Sequence, residues 1–294
     1  MGWDEWIRGV EVEPSLYAAD FTNLGTQISR VLDAGARVFH LDVGDGRFIE
    51  PITIGPIVLQ SIAPLIRQAG GVVDSHLMVV EPERHFAQIA RAGGESVTFH
   101  VEACDDPARA IALARSLGLG VGIAFNPETP VENALAAAES VDLVLCMSIH
   151  PGYSGQEFML SALERVAALR AALPSGVHVQ VDGGVNAETI AAVRQAGANL
   201  LVAGSAIFGR ADVGESYSRL AELAAVTPAA EDVPPVVELR GGGPGVDGQA
   251  VTGSWPPWSR DGTVWAELTG RREVSNPPRS RPRWNPLACS SLAG

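Results

Sequence analysis

The amino-acid sequence predicts an α/β fold, a (β/α)8 TIM barrel, followed by a C-terminal extension. Between about residue 10 and residue 226, short apolar runs alternate with amphipathic helical patterns. Eight strand–helix units in roughly 215 residues are typical of this barrel. A doubly wound open sheet, the rival fold, has fewer strands and usually a glycine-rich loop after the first one. This chain has Ala18-Ala19-Asp20-Phe21 at that place, which favours the barrel.

The predicted elements follow from the apolar periodicity and from helix start and stop signals. The strands are expected at residues 10–16, 37–42, 72–78, 96–100, 120–124, 143–147, 177–181 and 200–203. The helices are expected at residues 24–34, 57–68, 82–92, 107–117, 131–138, 162–173, 187–196 and 215–225. Pro82 and Pro107 stand in first helical turns, where proline is tolerated. Gly35 and Gly93 stand where helices end.

Three segments are expected along the chain: a lead of residues 1–9, the barrel of residues 10–226 and a tail of residues 227–294. The tail is rich in proline, glycine and tryptophan, and no helical or strand period continues into it. This composition is typical of disorder, so we expect a largely disordered tail without a catalytic role. Trp3 and Trp6 of the lead are also expected to lie outside the barrel.

The composition excludes several classes of partner. A formal net charge of -13 and a pI of about 4.9 argue against binding to nucleic acid or to a membrane surface. No apolar stretch is long enough to span a bilayer, and the N-terminus lacks the pattern of a signal peptide. The three cysteines fit neither a disulfide framework nor a zinc ribbon, which indicates a cytoplasmic protein. A phosphorylated substrate remains possible, because backbone amides bind phosphate without a basic patch.

Four metal-binding residue types stand where predicted strands end: His40, Asp42, His76 and Asp182. Side chains two apart on a strand share a face, so His40 and Asp42 point the same way. The carboxyl ends of barrel strands meet at one mouth, where four unpaired polar groups would be costly without a partner. Two imidazoles and two carboxylates predict a site for one divalent metal ion: Zn, Fe, Co or Mn. His100, at the end of the fourth strand, is a further candidate.

Glycine-containing loops follow the sixth, seventh and eighth strands. They contain Gly152-Tyr153-Ser154-Gly155, Gly183-Gly184 and Gly204-Ser205. Glycine lets the backbone approach an anion closely and present its amides. A phosphate site after strands seven and eight is common in barrels, so these loops are predicted to bind the phosphate of a substrate.

With these motifs the chain resembles the ribulose-phosphate 3-epimerase family, from about residue 10 to residue 226. The motifs, in the family's order, are Pro14-Ser15-Leu16, Ala19-Asp20-Phe21, His40-Leu41-Asp42-Val43-Gly44-Asp45-Gly46, His76-Leu77-Met78, Met147-Ser148, Pro151-Gly152-Tyr153-Ser154-Gly155-Gln156, Val181-Asp182-Gly183-Gly184-Val185 and Ala203-Gly204-Ser205-Ala206-Ile207-Phe208. The resemblance implies a barrel of the ribulose-phosphate-binding type and a phosphorylated ketose as substrate. We also expect a homo-oligomer.

The resemblance implies a mechanism as well as a family. Asp42 and Asp182 would act as acid and base on opposite faces of the C3 carbon of D-ribulose 5-phosphate, through an enediolate. The metal ion would act as a Lewis acid. Ser15, His76, Met78 and Met147 would contact the substrate near the reacting carbons. The product would be D-xylulose 5-phosphate.

The chain departs from the family pattern at several places beside the pocket. Gly44 stands where the family usually has methionine, Tyr153-Ser154 where it has Phe-Gly, and Ile49-Glu50-Pro51-Ile52 where a Pro-Asn-Leu pattern is common. These changes leave a second substrate open, another ketose phosphate such as allulose 6-phosphate. A hexulose-phosphate synthase and a catalytically weak sugar-phosphate-binding barrel are two rival hypotheses for the function.

Overall fold

The computed structural model describes residues 2–227, as a barrel of eight parallel strands with helices between them. The strands are β1 (Glu11–Pro14), β2 (Val38–Gly44), β3 (Val72–Met78), β4 (Ser96–His100), β5 (Gly120–Phe125), β6 (Leu143–Met147), β7 (His178–Asp182) and β8 (Leu200–Ala203). Each strand from β2 to β8 pairs with the next, and β8 pairs with β1. A parallel bridge between Ser15 and His40 links β1 to β2, so the barrel is nearly closed. The predicted fold class is confirmed.

Apart from the first helix, which precedes β1, the helices lie on the outside of the barrel. They are α1 (Trp3–Trp6), α2 (Leu24–Asp33), α3 (Pro56–Gln68), α4 (Phe86–Ala92), α5 (Pro107–Ser116), α6 (Val131–Leu135), α7 (Ser161–Ala172), α8 (Ile190–Gln195), α9 (Ser205–Phe208) and α10 (Val213–Val226). Within the described residues, no helix has the length and apolar character needed to cross a membrane. The predicted tail lies outside the described residues from residue 228 onward.

Several boundaries differ from the predicted ones for local reasons. The helix expected at 187–196 starts only at Ile190, because the Asn186 side chain accepts a hydrogen bond from the Glu188 amide at 2.8 Å and forms a turn there. The first strand ends at Pro14 and passes into a 3-10 turn, Leu16–Ala18. Helix α9 was not predicted, because four residues show too little periodicity to detect.

The apolar core has two parts, one on each side of the sheet. The larger part fills the space between strands and helices and includes Phe39, Phe86 and Phe99, all fully buried. The smaller part lies inside the barrel and includes Leu143 and Leu200. These two parts follow from the period-two alternation of the strands, which sends alternate side chains outward and inward.

The lead of the chain contributes to the inner part of the core. Trp3 and Trp6 are 3% and 7% exposed, and their rings meet edge-to-face with centroids 5.3 Å apart. They pack with Val38 and Leu200, from the interior faces of β2 and β8. A Cβ built on Gly120, at the start of β5, would lie 2.9 Å from the Trp3 indole nitrogen. The expectation that these tryptophans lie outside the barrel was wrong, because their large apolar surface plugs the amino-terminal end of its interior.

Candidate functional site

The four predicted metal ligands come together at the carboxyl-terminal mouth of the barrel. His40 and Asp42 lie on β2, His76 on β3 and Asp182 at the end of β7. Asp42 pairs in register with His76 across the two neighbouring strands. One ligand atom from each of the four side chains lies within 4.8 Å of the others. The geometry that the sequence predicted is therefore present.

Asp42 is at the centre of this cluster. Its Oδ1 atom lies 3.0 Å from His76 Nδ1 and 3.4 Å from His40 Nε2. Its Oδ2 atom accepts a hydrogen bond of 2.6 Å from the Ser15 hydroxyl. His76 Nδ1 also lies 3.9 Å from Asp182 Oδ2. One imidazole nitrogen thus faces both carboxylates.

The two aspartates have opposite electrostatic surroundings. Burial would raise the pKa of Asp42, but His40 and His76 outweigh it and hold that pKa well below its ordinary value. Burial, followed by the negative charge of Asp42, raises the pKa of Asp182 to about 7. A pair of carboxyl groups whose pKa values are driven apart is the arrangement that acid–base catalysis uses.

The donor set fits a divalent cation. The Nε2 atom of His40, which faces Asp42, is buried without a hydrogen-bond partner among the described residues. Buried polar atoms normally have one, so this nitrogen points to a ligand. Two imidazoles and two carboxylates suit zinc, iron, cobalt or manganese. His40, Asp42, His76 and Asp182 are therefore the residues that could hold the ion.

A second polar layer lies beneath the four ligands, and the sequence analysis missed it. His40 Nδ1 lies 3.5 Å from Asp74 Oδ2 and 3.7 Å from Glu13 Oε2. The Gln180 amide donates to Glu13 at 2.7 Å, and the Ser96 hydroxyl donates to Asp74 at 2.5 Å. The period-two rule could have found this layer, since Glu13, Asp74 and Gln180 each precede a predicted site residue by two positions.

A third imidazole extends the cluster toward β4. His100, the last residue of β4, is fully buried, and its ring stacks on that of His76 with centroids 5.0 Å apart. Burial lowers the pKa of His100 to about 4. The neighbouring Glu102 carboxyl has a pKa of about 2, because hydrogen bonds to its charged form outweigh the effect of burial. His100 is therefore a neutral group beside an ionised one.

A cavity of about 690 Å³ opens above the metal-capable cluster. The predicted site residues on its wall are Ser15, Asp42, Met78, Met147, Gly152, Tyr153, Ser154, Gly155, Asp182, Gly183, Gly184, Gly204 and Ser205. His76 does not line the cavity, because it is fully buried. The wall also includes Asn186 and Arg210, which the sequence analysis did not select, because a lone polar residue in a loop carries no periodic signal.

The loop after β7 has a backbone that only glycine accommodates well. Gly183 and Gly184 have φ angles of 114° and 66°. A Cβ on Gly183 would overlap the Ile149 side chain, and one on Gly184 would lie 2.8 Å from the Phe158 nitrogen. The Ser148 hydroxyl donates to the Gly183 carbonyl at 2.6 Å and holds the turn. The backbone of this loop is thus bare and fixed at the cavity wall.

The space beside Gly44 is occupied by another side chain. A Cβ on Gly44 would lie 2.5 Å from Ile49 Cδ1, and Ile49 is 5% exposed. A residue larger than glycine at position 44 would therefore displace Ile49. In the same region the Tyr153 hydroxyl donates to Glu50 Oε2 at 3.1 Å, which joins the loops after β2 and β6.

Comparison with known proteins identifies relatives over the whole barrel. The sequence model of the Ribulose-phosphate 3 epimerase family matches residues 11–208. Ribulose-phosphate 3-epimerase of Bacillus subtilis is 40% identical over 215 residues, which cover 72% of this chain and 98% of that protein. The enzyme of the same name from Schizosaccharomyces pombe is 42% identical, over 67% of this chain and 86% of that protein. The cytoplasmic isoform of ribulose-phosphate 3-epimerase of Oryza sativa is 39% identical, over 71% of this chain and 92% of that protein.

Solved structures with lower sequence identity share the fold. The 3-hexulose-6-phosphate synthase of Salmonella typhimurium is 14% identical with a TM-score of 0.58, and the match covers 73% of this chain and 98% of that one. KGPDC from Streptococcus mutans is 10% identical with a TM-score of 0.57, and the match covers 75% of this chain and 99% of that one. At this identity the likeness shows a common barrel architecture and nothing about activity.

Proposed function

The chain belongs to the ribulose-phosphate 3-epimerase family and is an isomerase that epimerises a carbohydrate, and we propose that it interconverts D-ribulose 5-phosphate and D-xylulose 5-phosphate. The observation that carries the proposal is the pair Asp42 and Asp182, which meet at one cavity beside His40 and His76. Inversion at a carbon next to a ketone requires removal of a proton from one face and delivery of a proton to the other.

The opposite pKa shifts suit the two aspartates to these two tasks. In one direction of the reaction the ionised Asp42 removes the proton from C3, and the protonated Asp182 delivers a proton to the opposite face. The reverse direction exchanges the two roles. The Ser15 hydroxyl, which donates to Asp42 Oδ2, fixes the orientation of that carboxylate. Because Asp42 is 4% exposed, bulk water competes little for the proton.

A divalent cation completes this site. His40, Asp42, His76 and Asp182 would hold it, and it would be zinc, iron, cobalt or manganese. When bound, it supplies Lewis-acid stabilisation of the negative charge that develops on the substrate oxygens. When they bind it, the two buried imidazoles would be neutral donors, so the cation would offset the charge of the two carboxylates.

The substrate's phosphate would bind at the loops after β6, β7 and β8. The cavity wall there includes Gly152, Gly155, Gly183, Gly184 and Gly204. Glycine leaves its backbone amide accessible to an anion. Tyr153, Ser154 and Ser205 line the same cavity and offer hydroxyl groups. Met78 and Met147 also line it, and Met147 pairs in register with Asp182, so their apolar side chains would pack against the sugar carbons.

Allulose 6-phosphate is the second candidate substrate, since the chain departs from the family pattern at Gly44, where Ile49 fills the adjacent space. A hexulose-phosphate synthase activity has only fold-level support, at 14% identity. We further propose a cytoplasmic location, because the rice relative carries the name of a cytoplasmic isoform, and a homo-oligomeric assembly.

A turnover assay on a panel of ketose phosphates tests the proposal. The purified full-length protein is stripped of metal, reloaded with each of the four cations and assayed on D-ribulose 5-phosphate and allulose 6-phosphate. We expect the highest kcat/KM with the pentulose phosphate, and turnover only in the reloaded samples. Faster turnover of the hexulose phosphate would reassign the substrate. Binding of both sugars without turnover under any cation would identify a sugar-phosphate-binding protein.

A further inference from the structure

We propose that His100 and Glu102 are positioning residues, which stabilise the tautomer of His76 that ligates a cation. The inference rests on the proposed metal site but concerns groups outside it. Neither residue contributes a ligand atom to the cluster of His40, Asp42, His76 and Asp182. They act on it through a chain of contacts that begins at the surface.

Three short contacts in series connect Glu102 to the metal site. His76 Nδ1 lies 3.0 Å from Asp42 Oδ1, at the metal site. On the other side of the same ring, His76 Nε2 lies 2.9 Å from His100 Nε2. His100 Nδ1 in turn lies 3.3 Å from Glu102 Oε2. His76 and His100 are both fully buried, so no water competes for these contacts.

The outer end of the chain is anchored in one orientation. Glu102 Oε1 accepts hydrogen bonds from the Asn126 backbone amide, at 2.8 Å, and from the Thr129 hydroxyl. These two donors fix the carboxylate, and they leave Oε2 directed at His100. An ionised carboxylate only accepts hydrogen bonds. The nitrogen that faces it, His100 Nδ1, must therefore carry a hydrogen.

This requirement propagates to the metal site. In a neutral imidazole one nitrogen donates and the other accepts. If His100 Nδ1 donates to Glu102, then His100 Nε2 accepts, and the hydrogen between the rings belongs to His76 Nε2. His76 Nδ1 is then left with its lone pair, directed at the space between Asp42 and Asp182. This is the form that ligates a cation.

The opposite assignment would be unfavourable at its outer end. If His76 Nδ1 donated to Asp42, His76 Nε2 would accept from His100, and the lone pair of His100 Nδ1 would face the Glu102 carboxylate. Two acceptors would then stand 3.3 Å apart in a partly buried place. Without a cation, the Asp42 carboxylate 3.0 Å from His76 Nδ1 favours this opposite tautomer, so the two carboxylates compete. A cation bound to Nδ1 removes the competition at Asp42, and Glu102 then stabilises the ligating tautomer, as hydrogen-bonded carboxylates behind metal-bound histidines do.

The substitution Glu102→Gln reverses the direction of these hydrogen bonds without changing the shape of the side chain. The glutamine carbonyl would stay with Asn126 and Thr129, which both donate, so its NH2 group would face His100 Nδ1. His100 would then donate from Nε2, and His76 would carry its hydrogen on Nδ1, where the cation binds. We expect the dissociation constant for Zn²⁺ to rise roughly 10–100-fold, the usual effect of losing such a partner.

The matched control is Glu128→Gln, the same chemical change on the wall of the same small cavity as Glu102. Glu128 faces His150 at 3.2 Å on the surface, and we expect the Zn²⁺ affinity of this variant to equal that of the wild type. Affinity is measured by competition with a chromophoric chelator on the full chain. Equal affinities in Glu102→Gln and wild type would overturn the inference.

Nitrogen NMR of the Zn²⁺-loaded wild type gives a second readout that requires no variant. Two-bond 1H–15N spectra distinguish the two tautomers of His100. We expect the hydrogen of His100 on Nδ1, and a hydrogen on Nε2 would overturn the inference. A wild type that binds no Zn²⁺ would contradict the proposed metal site and this inference together, whereas equal Zn²⁺ affinities in wild type and Glu102→Gln contradict this inference alone.

Discussion

The interior of the barrel has two unlike sides. Strands β1 to β4 send charged and polar side chains inward: Glu13, His40, Asp42, Asp74, His76, Thr98 and His100. Strands β5, β6 and β8 send apolar ones inward: Ala124, Leu143, Leu145, Met147 and Leu200. All of these residues are buried, so the two sides differ in chemistry and not in exposure. Three of the four metal-capable residues lie on the first side, and β7 adds Asp182.

The difference indicates a division of tasks between the two sides. The apolar side excludes water and keeps the local dielectric low, which strengthens the hydrogen bonds and charge interactions of the polar side. The loops after β6 and β8 face the same cavity as Asp42, and they bring Gly152, Gly155 and Gly204 to its wall. Substitutions on the polar side should therefore reduce the rate, and substitutions on the apolar side should reduce stability.

The largest expected effect is the loss of activity in Asp182→Asn. The amide cannot take or give the proton, and a positioned acid or base contributes roughly 10²–10⁴-fold to the rate. We expect kcat to fall within that range in steady-state assays, with little change in far-UV circular dichroism. Asp33→Asn, the same change on the exposed end of α2, is the control. An Asp182→Asn variant with wild-type kcat would remove Asp182 from the mechanism.

The corresponding change on the apolar side is Leu145→Ala. Leu145 is fully buried inside the barrel, and removing such a side chain costs about 2–5 kcal/mol of the free energy of unfolding. Urea denaturation should show this loss, while the folded fraction keeps its kcat. Leu113→Ala on α5, which is 40% exposed, should change stability by less than about 0.5 kcal/mol. A stable Leu145→Ala variant with reduced kcat would mean that the two sides are not separate.

A smaller effect is expected from Gly184→Ala in the proposed phosphate loop. The new Cβ would meet the Phe158 backbone at a φ of 66°, so the loop must shift. We expect KM to rise roughly tenfold, equivalent to about 1.4 kcal/mol, and kcat to change less. Gly176→Ala, where nothing lies within 4 Å of the new Cβ, should retain the wild-type KM. An unchanged KM in Gly184→Ala would place the phosphate elsewhere.

The smallest expected effect is on the melting temperature. Burial, with the charge of Asp42, raises the folded pKa of Asp182 to about 7 from 3.8. The stabilising contribution of the protonated carboxyl is therefore complete below about pH 4 and is lost as the pH rises to about 7 in the metal-free protein. A bound cation offsets the carboxylate charge, so the increase in Tm on adding Zn²⁺ should be larger at pH 8 than at pH 5. Equal increases in thermal melts at the two pH values would contradict this.

The sequence predicted the residues that obey a periodic rule. The eight strands and the convergence of His40, Asp42, His76 and Asp182 follow from alternation along strands and from the common direction of parallel strands. The same rule would have selected Glu13 and Asp74, which precede Ser15 and His76 by two positions, had it been extended one layer down.

Other features depend on contacts between residues far apart in sequence. The insertion of Trp3 and Trp6 into the barrel depends on a gap that Gly120 leaves across the sheet. The occupation of the Gly44 space by Ile49 depends on the path of a loop. No local pattern encodes either contact, because each arises from the shape that the rest of the barrel presents.

Epimerisation in deuterium oxide tests the two-aspartate mechanism most directly. In the proposed mechanism Asp42 and Asp182 act on opposite faces of C3, so the hydrogen that one removes is not the hydrogen that the other delivers. Early in the reaction, the D-xylulose 5-phosphate formed should carry deuterium at C3, and the remaining D-ribulose 5-phosphate should carry none. A product that retains the substrate's own hydrogen, or deuterium appearing equally in both sugars, would contradict the mechanism.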